Sequence, residues 1–267
     1  MPSKVAWGSI KAFKVLGGNG MNYQEKINAI AGLLKITSKA LVFTGAGVST
    51  ESGIPDYRSS DKGLWHKLDP MRTASVSAML RDPGAFYDNN LARWASFRQA
   101  EPNQAHRAIV ALENMGLIQG VITQNIDSLH LKAGSRRVWE VHGHLRTCRC
   151  LSCHSHVPFE CLLEQYDAKI NPPLCQICGG ILRPDVVLFE DAMGKEYAAA
   201  LQAMHGCGLL LVAGSSLQVY PAAGLPELSA QVVIINREPT PWDSRAAVVV
   251  HETAGLVFAD LLQAIKA

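Results

Sequence analysis

The chain has 267 residues, of which 48% are hydrophobic, and this is enough for one sizeable core and a smaller attached module. Its 25 basic and 23 acidic residues give a formal net charge of +2, which excludes a strong attraction to nucleic acid or anionic lipid. No apolar run approaches the length of a membrane span and no secretory signal is recognisable, so we expect a cytoplasmic protein that binds neither nucleic acid nor membrane.

Residues 1–22 show neither a helical nor a strand period, and they are predicted to form a flexible extension. From Tyr23 onward, helix-like stretches alternate with short apolar runs. These runs are 40–44 (ALVFT), 120–124 (GVITQ), 207–214 (CGLLLVAG) and 231–236 (QVVIIN). Continuous apolar strands separated by helices are typical of a parallel sheet covered on both faces. The pattern therefore predicts an open, Rossmann-like α/β domain formed by residues 23–143 and 184–267.

The stretch LVFTGAGVSTESGIPDYRS places glycines directly after the first predicted strand. Gly45 and Gly47 would let the backbone approach a diphosphate, and a helix predicted to begin at Ser49 would offer unpaired N–H groups. The loop lacks the lysine of an ATP-binding loop and the third glycine of the dehydrogenase fingerprint. It predicts a nucleotide diphosphate site with Arg58 close to the phosphates. The alternative is a structural turn.

The stretch TQNIDSLH follows the second apolar run directly. Its side chains Gln124, Asn125 and Asp127 can hydrogen-bond hydroxyls and a carboxamide, and they lie at the strand end where open α/β sheets bind ligands. The alternative is a helix cap formed by Asn125 or Asp127. His130 is expected to be structural.

Three more groups follow predicted strands. His142, in EVHGH, is followed by glycine, and its neutral imidazole can take a proton from a sugar hydroxyl, although a lone histidine is often structural. The loop GSSLQVYPAA (214–223) brings small hydroxyl residues that suit a phosphate. The loop NRE (236–238) brings Asn and Glu that suit ribose hydroxyls, unless both loops are merely exposed turns.

Residues 144–183 interrupt the alternation because they are rich in Cys, His and Pro and lack a strong core period. They are predicted to be a small inserted module. Two Cys-x-x-Cys pairs within it are typical of one structural zinc ion, since four thiolates leave no open coordination position. Cys148 is a competing candidate, but the x-x spacing favours Cys150. The predicted ligands are Cys150, Cys153, Cys175 and Cys178.

The combination of these motifs, in this order, resembles the sirtuins, a family of NAD-dependent protein-lysine deacylases. The resemblance rests on GAGVS with GIPDYRS, TQNID-x-LH, VHG, the two cysteine pairs and GSSL-x-VYPA, and it extends from Tyr23 to the C-terminus. It implies that the glycine loop holds NAD for cleavage. In this family, the acyl oxygen of a modified lysine attacks the ribose carbon that loses nicotinamide, giving an alkylimidate. A histidine then deprotonates a ribose hydroxyl, and the acyl group ends on ADP-ribose.

The resemblance assigns roles to individual residues of this chain. His142 matches the catalytic histidine, and Asn125 is implied in catalysis beside it. The implied NAD-binding residues are Gly45, Ala46, Gly47, Ser49, Ile54, Arg58, Gln124, Asn125, Ile126, Asp127, Gly214, Ser215, Ser216, Asn236 and Glu238. The substrate peptide is implied to lie along residues 185–189 as an added strand. The implied substrate-binding residues are Tyr57, Val187, Leu188, Phe189 and Glu190.

Three positions depart from the family pattern. Glu190 stands where the family usually has glycine, which implies backbone strain if φ is positive there; otherwise its carboxylate is expected to favour basic peptides. In either case we predict weaker binding of acidic peptides. Tyr57 replaces a phenylalanine near the acyl group. The Tyr-x-x-Arg pair of members that remove acidic acyl groups is not clear, because Asn90 follows Tyr87 and Arg93 is out of step. Succinyl or malonyl preference is therefore not expected.

The resemblance favours deacetylation of protein lysine, with an acyl-lysine protein or peptide as partner substrate. Mono-ADP-ribosylation of protein would use the same cleavage of NAD without requiring an acyl-lysine. A catalytically inactive nucleotide domain that carries a zinc module for interactions is the alternative from another functional class. An NAD dehydrogenase is a weaker rival, which the absence of reduced-cofactor absorbance would exclude.

Overall fold

The computed structural model describes residues 20–56 and 69–267, so most of the predicted extension lies outside it. Its strands are β1 (Ala40–Thr44), β2 (Val121–Thr123), β3 (Val138–Glu140), β4 (Gly143–Cys150), β5 (His156–Pro158), β6 (Leu182–Val186), β7 (Leu209–Ala213), β8 (Val232–Ile235) and β9 (Val248–Val250). Its α-helices are α1 (Tyr23–Ile36), α2 (Pro70–Thr73), α3 (Val76–Arg81), α4 (Pro83–Phe97), α5 (Gln104–Asn114), α6 (Leu129–Ala133), α7 (Phe159–Asp167), α8 (Lys195–Met204) and α9 (Ala254–Lys266). Shorter 3-10 helices span Ala46–Ser52, Ala222–Leu228 and Asp243–Arg245.

The main sheet is parallel, and its strand order is β3-β2-β1-β7-β8-β9. Strands β1, β7 and β8 are buried along their whole length, as their continuous apolar sequences predict. Because β2 lies on one side of β1 and β7 on the other, the direction of winding changes between β1 and β7. A crevice opens above the carboxyl ends of strands at such a point. The predicted open α/β fold is confirmed.

Alternate residues of β1 point to the two faces of this sheet, and each face has its own hydrophobic cluster. On one face, Val42 packs with residues of α1, α5 and α9, including Ile109 and Phe258. On the other face, Phe43 packs with residues that include Met204 of α8. Burying one such side chain contributes about 1.5–3 kcal/mol, so the two clusters make the sheet a firm support for the loops at its edge.

Two helices of the main domain, α1 and α5, begin with an asparagine cap. Asn22 accepts the N–H of Glu25 at 3.0 Å, and the Glu25 carboxylate accepts the N–H of Asn22 at 2.7 Å, which forms a capping box for α1. Asn103 caps α5 in a similar way. Within the described residues, no helix is both long and apolar enough to cross a bilayer.

The inserted module contains an antiparallel sheet with the strand order β5-β4-β6. Strands β4 and β6 pair from Gly143 opposite Val186 to Cys150 opposite Leu182. This sheet extends slightly beyond residues 144–183, the predicted limits of the module, and those limits stay a prediction. A third hydrophobic cluster joins α7 to α3 and α4, with Phe159 among its members. Because α3 and α4 precede the module in the chain, the module is anchored by helices that the sequence assigned to the main domain.

Candidate active site

A cavity of about 310 Å³ lies at the carboxyl ends of β1, β2, β7 and β8. Residues from every loop that the sequence singled out contribute to its wall. The predicted site residues in this wall are Ala46, Gly47, Ser49, Ile54, Gln124, Asn125, Ile126, Asp127, His142, Val187, Leu188, Phe189, Glu190, Gly214, Ser215, Ser216, Asn236 and Glu238. Gly45 is not part of the wall, and Tyr57 and Arg58 lie outside the described residues. The structure therefore brings nearly all the predicted residues around one space.

The loops after β1 and β7 touch each other through their glycines. The N–H of Gly47 donates to the carbonyl of Gly214 at 2.8 Å, and a Cβ atom on Gly47 would lie 2.7 Å from the Cα of Gly214. Gly214 has a φ of +59°, and a Cβ atom there would lie 2.3 Å from the backbone nitrogen of Val48. Both positions therefore require glycine. The two bare backbones form an edge that a diphosphate can approach closely.

The helix after β1 begins earlier than predicted. It is a 3-10 helix, Ala46–Ser52, and not a helix that begins at Ser49. Gly45 continues the sheet by donating its N–H to the carbonyl of Ala213 at 3.1 Å, and the chain turns at once because Gly47 is held against the β7 loop. Ser49 is consequently fully buried in the middle of the turn, where its hydroxyl faces other side chains of the site.

Ser49, Asn125 and Asp127 form a hydrogen-bonded group at the cavity wall. The Asn125 amide donates to the carbonyl of Gly45 at 3.1 Å and to the Ser49 hydroxyl at 3.0 Å, and this hydroxyl donates to Asp127 Oδ2 at 2.7 Å. Asp127 Oδ1 accepts the N–H of Leu129 at 2.9 Å, so the carboxylate also contacts the start of α6. Burial raises the pKa of Asp127. The N-cap residue of α6 is Ser128, and not Asn125 or Asp127 as the cap interpretation predicted. Asp127 supports the start of the helix through Oδ1 and holds Ser49 through Oδ2.

His142 presents one ring nitrogen to the protein and the other to the cavity. Its Nδ1 lies 3.2 Å from the backbone carbonyl of Gln124, and because a carbonyl only accepts, Nδ1 carries the hydrogen. The Nε2 atom is then an unprotonated acceptor at the cavity wall. Burial lowers the pKa of His142 to about 4, so the imidazole is neutral at pH 7. A neutral imidazole in this orientation can act as a general base.

Gln124 carries a polar atom that suits a bound hydroxyl group. Its side-chain Nε2 is buried and has no acceptor among the described residues, while its Oε1 lies 3.4 Å from the hydroxyl of Ser215. Buried donors in proteins are nearly always paired, so an unpaired one in a cavity wall indicates a ligand with an acceptor oxygen. This observation and the glycine edge together fit a ribose diphosphate.

The segment after β6 forms another part of the cavity wall. The N–H groups of Val187, Leu188 and Phe189 donate to the carbonyl of His142 (2.8 Å), to Asp191 Oδ2 (2.8 Å) and to the carbonyl of Ala74 (3.0 Å). The carbonyl of Val187 accepts no hydrogen bond from the described residues. A peptide that paired with this segment would therefore find few free backbone groups. The carbonyl of Val187 is the group best suited to accept an amide N–H from such a peptide.

Glu190 adopts a left-handed backbone conformation, with a φ of +75°. The backbone strain expected for a positive φ at Glu190 therefore applies, because a residue with a Cβ atom is disfavoured in this region. Its carboxylate Oε2 accepts the N–H of Ser77 at 2.8 Å, which holds the segment against α3 and lowers the pKa of Glu190. The side chain lies at the cavity entrance and is exposed to solvent.

The sequence did not predict that α4 forms one wall of the cavity, although Asn90 and Arg93 were considered there as part of a possible motif with Tyr87. Residues of α4 that lie on one helical face line it: Asn90, Arg93, Trp94 and Phe97. Arg93 Nη2 donates to Asn90 Oδ1 at 2.8 Å. Tyr87 is instead fully buried, and its hydroxyl donates to the carbonyl of Leu182. The available signal was an arginine and an asparagine at helical spacing among apolar residues.

The opposite end of the cavity lies beside the loop after β8. Asn236 and Glu238 line it, and the Asn236 amide donates to the backbone carbonyl of Glu238 at 2.7 Å. Arg237, between them, also lines the cavity and lies 3.6 Å from Asp56 Oδ2, which follows the first glycine loop. This ion pair links two loops of the cavity wall, and the sequence motifs gave no indication of it.

The four predicted zinc ligands lie together in the module. All four Sγ atoms are within 4.8 Å of one another, with 3.5 Å between Cys150 and Cys178 and 3.7 Å between Cys153 and Cys175. A tetrahedral Zn²⁺ with Zn–S bonds of about 2.3 Å requires edges of about 3.8 Å, which fits this group. Cys148 is buried in the hydrophobic cluster of the module and is not part of the group.

Comparison with known proteins gives consistent relatives. The model of the Sir2 family matches residues 45–221. The chain is 45% identical over 246 residues to NAD-dependent protein deacetylase 2 of Caldanaerobacter subterraneus, covering 92% of this chain and 98% of that protein. It is 42% identical over 250 residues to NAD-dependent protein deacylase 2 of Archaeoglobus fulgidus, with 91% and 97% covered.

Solved structures of Sir2 enzymes have the same fold. One of them superimposes with a TM-score of 0.83 at 40% identity, covering 91% of this chain and 98% of the other. A complex of Sir2 with a p53 peptide and NAD+ superimposes with a TM-score of 0.81 at 32% identity, covering 88% and 96%. Both sequence and fold agree over nearly the whole length of the chain. The chain therefore belongs to the Sir2 family, the sirtuins.

Proposed function

We propose that the protein is an NAD-dependent protein-lysine deacylase, with deacetylation as its main activity, which cleaves NAD to nicotinamide and transfers the acyl group to ADP-ribose. The names of its relatives, which include both deacetylases and a deacylase, support this proposal. The observation that carries it is that the Nε2 atom of a neutral His142 lies in the same cavity wall as Asn125 and Asp127.

The binding residues for NAD follow from the chemistry of the cavity wall. Bound NAD supplies an electrophilic ribose carbon with nicotinamide as its leaving group. The bare backbones of Gly47 and Gly214 accommodate the diphosphate, and Ser215 and Ser216 add hydroxyl donors. Gln124 Nε2 would donate to a ribose oxygen, and the wall at Asn236 and Glu238 would hold the other ribose. The residues present therefore fit this co-substrate.

His142 and the nicotinamide pocket have separate tasks. Asn125 and Asp127, held by Ser49, present amide and carboxyl groups that match the carboxamide of nicotinamide. With NAD bound, His142 Nε2 would accept a proton from a ribose hydroxyl and so prepare that oxygen to attack the acyl carbon. The hydrogen bond from Nδ1 to the Gln124 carbonyl fixes the ring and its tautomer during this step.

The acyl-lysine enters beside the segment 186–190. The Val187 carbonyl accepts the amide N–H of the acyl-lysine, and Leu188 and Phe189 complete the apolar wall, with Tyr57 assigned there by resemblance. We also place the protein in the cytoplasm, because its described cysteines are all free thiols and four of them cluster as a metal site, as in a reducing compartment.

The direct test is a panel of acyl-lysine peptides incubated with NAD and analysed by mass spectrometry. We expect free lysine, nicotinamide and O-acyl-ADP-ribose in equal amounts, with the acetyl peptide as the best substrate. Nicotinamide release that does not depend on an acyl-peptide would instead support mono-ADP-ribosylation of protein. No turnover with any peptide, despite NAD binding, would support the inactive interaction module.

Glu190 is expected to favour peptides with basic residues near the acyl-lysine. Because it is an exposed carboxylate at the cavity entrance, we expect the KM for an acidic peptide to exceed that for a basic one by roughly two- to fivefold. The variant Glu190→Gln keeps the side-chain volume and should remove this difference. Steady-state kinetics with two peptides of matched length provide the measurement.

The control for this prediction is Glu101→Gln, which removes an exposed carboxylate outside the cavity wall. This variant should keep the preference of the native protein. Equal KM values for the two peptides in the native protein would contradict the assigned role of Glu190.

A further inference from the structure

Glu140 and Arg146 form a charge pair beside the cavity but outside its wall. Glu140 is the last residue of β3 and is only 5% exposed, and Arg146 lies on β4. Arg146 Nη1 donates to Glu140 Oε1 at 2.7 Å, and Nη2 donates to Oε2 at 2.6 Å. A bidentate salt bridge of this kind fixes the relative orientation of the two side chains and also neutralises the carboxylate. Neither side chain lines the cavity, so neither touches a ligand bound there.

Ser128 joins this pair to the turn that carries Asp127. Its hydroxyl lies 3.2 Å from Glu140 Oε1, and Arg146 Nη1 contacts the same hydroxyl. Ser128 has a φ of +61°, which is uncommon for a residue with a Cβ atom and requires support from its surroundings. The charge pair supplies this support at the residue directly after Asp127.

The same pair also borders the segment that carries His142. Glu140 lies opposite Thr123 in the β2–β3 ladder, and the N–H of Val141 donates to the carbonyl of Thr123 at 2.9 Å. Beyond His142, the N–H of Leu145 donates to the carbonyl of Ile126 at 3.2 Å. The turn at 124–128 and the segment at 140–146 are thus joined by backbone hydrogen bonds on both sides of His142 and by the bidentate salt bridge between Glu140 and Arg146.

The charges of the pair act on the nicotinamide end of the site. The Glu140 carboxylate adds to the effect of burial in raising the pKa of Asp127, whereas hydrogen bonds from Ser49 and Leu129 lower it. Arg146 neutralises Glu140 directly. His144 and Asp185 are further titratable groups on the strands beside the pair. Burial and Arg146 lower the pKa of His144, whereas Glu140 and Asp185 act in the opposite direction. Without Arg146, Asp127 would face an uncompensated buried negative charge.

We propose that Glu140 and Arg146 are a positioning pair, which fixes the Asp127 turn against the His142 segment and balances the charge beside Asp127. The proposal rests on the proposed function for its kinetic consequences, because nicotinamide binding is assigned to Asn125 and Asp127. Its structural and electrostatic part concerns the protein without any ligand.

The test compares Arg146→Met, Arg146→Lys and the double variant Glu140→Gln with Arg146→Met. Two quantities are measured: the titration midpoint of the Asp127 carboxyl group by carbon-13 NMR of the ligand-free protein, and the KM for nicotinamide in exchange of labelled nicotinamide into NAD. The control is Arg98→Met, since Arg98 forms an exposed pair with Glu160 at 3.4 Å and should leave both quantities unchanged.

Arg146→Met is expected to raise the Asp127 midpoint by about one pH unit and the KM for nicotinamide about tenfold, with the KM for the acyl-peptide nearly unchanged. The double variant should restore the native titration midpoint of Asp127, because no unpaired charge remains. It should not restore the KM for nicotinamide, because the bidentate salt bridge is lost. Arg146→Lys should keep the midpoint and raise the KM.

A midpoint for Asp127 that is the same in Arg146→Met as in the native protein would overturn the electrostatic part. A native KM for nicotinamide in both Arg146 variants would overturn the positioning part. If the native protein releases no nicotinamide from NAD, the proposed function fails, and the NMR midpoint still decides whether the pair controls Asp127. An equal loss in all kinetic constants, with a native midpoint, would indicate a merely structural pair.

Discussion

Replacement of His142 by alanine is expected to lower the rate of acyl transfer to ADP-ribose by about 10²- to 10⁴-fold, the usual contribution of a general base. The reason is that Nε2 is the acceptor that faces the cavity, while Nδ1 is engaged with the Gln124 carbonyl. Binding of NAD should be retained, because the glycine edge and Gln124 do not depend on the imidazole. Single-turnover kinetics with a labelled acetyl peptide would measure the loss, and calorimetry with NAD would measure the binding.

The pH dependence provides a second readout of the same group. Because burial lowers the pKa of His142 to about 4, the neutral form that accepts a proton is fully populated above about pH 5. The kcat/KM that depends on His142 should therefore be lost only as the pH falls through about 4. An acid limb near pH 6.5 that disappears in His142→Ala would contradict the assigned environment. His205→Ala removes an exposed histidine and should change neither rate nor profile.

Replacement of Cys175 by serine is expected to release the zinc ion and to unfold the inserted module. Structural zinc contributes about 10–16 kcal/mol of apparent binding free energy in small zinc modules, which equals or exceeds the whole stability of a typical domain. A loss of only about 5 kcal/mol would lower the Tm by roughly 10–20 °C. Metal analysis of the purified protein together with calorimetry would test this, and chelation of the native protein should have the same effect.

Activity should also disappear in this variant, although zinc takes no part in the reaction. Cys150 and Cys175 belong to the hydrophobic cluster that also contains Val186 and Leu188, so loss of the metal should disturb the part of the cavity wall that these two residues line. Cys161→Ser is the matched control, because this half-buried thiol on α7 lies outside the group of four. Full zinc content and native Tm in Cys175→Ser would show that the metal site is assigned wrongly.

The sequence predicted the features that depend on local pattern. Strands such as β1 and β7 appear as apolar runs because both of their faces are buried, and ligand groups follow them because parallel strands present their carboxyl ends at one edge. The cysteine spacing predicted the four clustered thiols because two Cys-x-x-Cys pairs are typical of a tetrahedral structural zinc site. These inferences did not require knowledge of how distant segments pack.

The features that the sequence did not predict depend on packing between distant segments. Arg93 reaches the cavity wall because α4 packs against the inserted module, which lies far along the chain. The early turn at Ala46 results from backbone contact with Gly214. The bidentate salt bridge between Glu140 and Arg146 joins residues six apart across the turn at His142, and no sequence motif marks it. The sequence could predict backbone strain at Glu190 only if its φ were positive, and the value of φ comes from the structure alone.

The contact between the β1 and β7 loops has a consequence for attempts to change which dinucleotide the protein accepts. Where the two loops meet, Gly47 and Gly214 present only main chain, and any new side chain at either position would clash with the backbone of the facing loop. Redesign has to begin at the other end, where Asn236 is half-buried and Glu238 is exposed. A mutant library confined to that loop should yield folded proteins with altered cofactor choice, whereas libraries at the glycines should yield mostly insoluble chains.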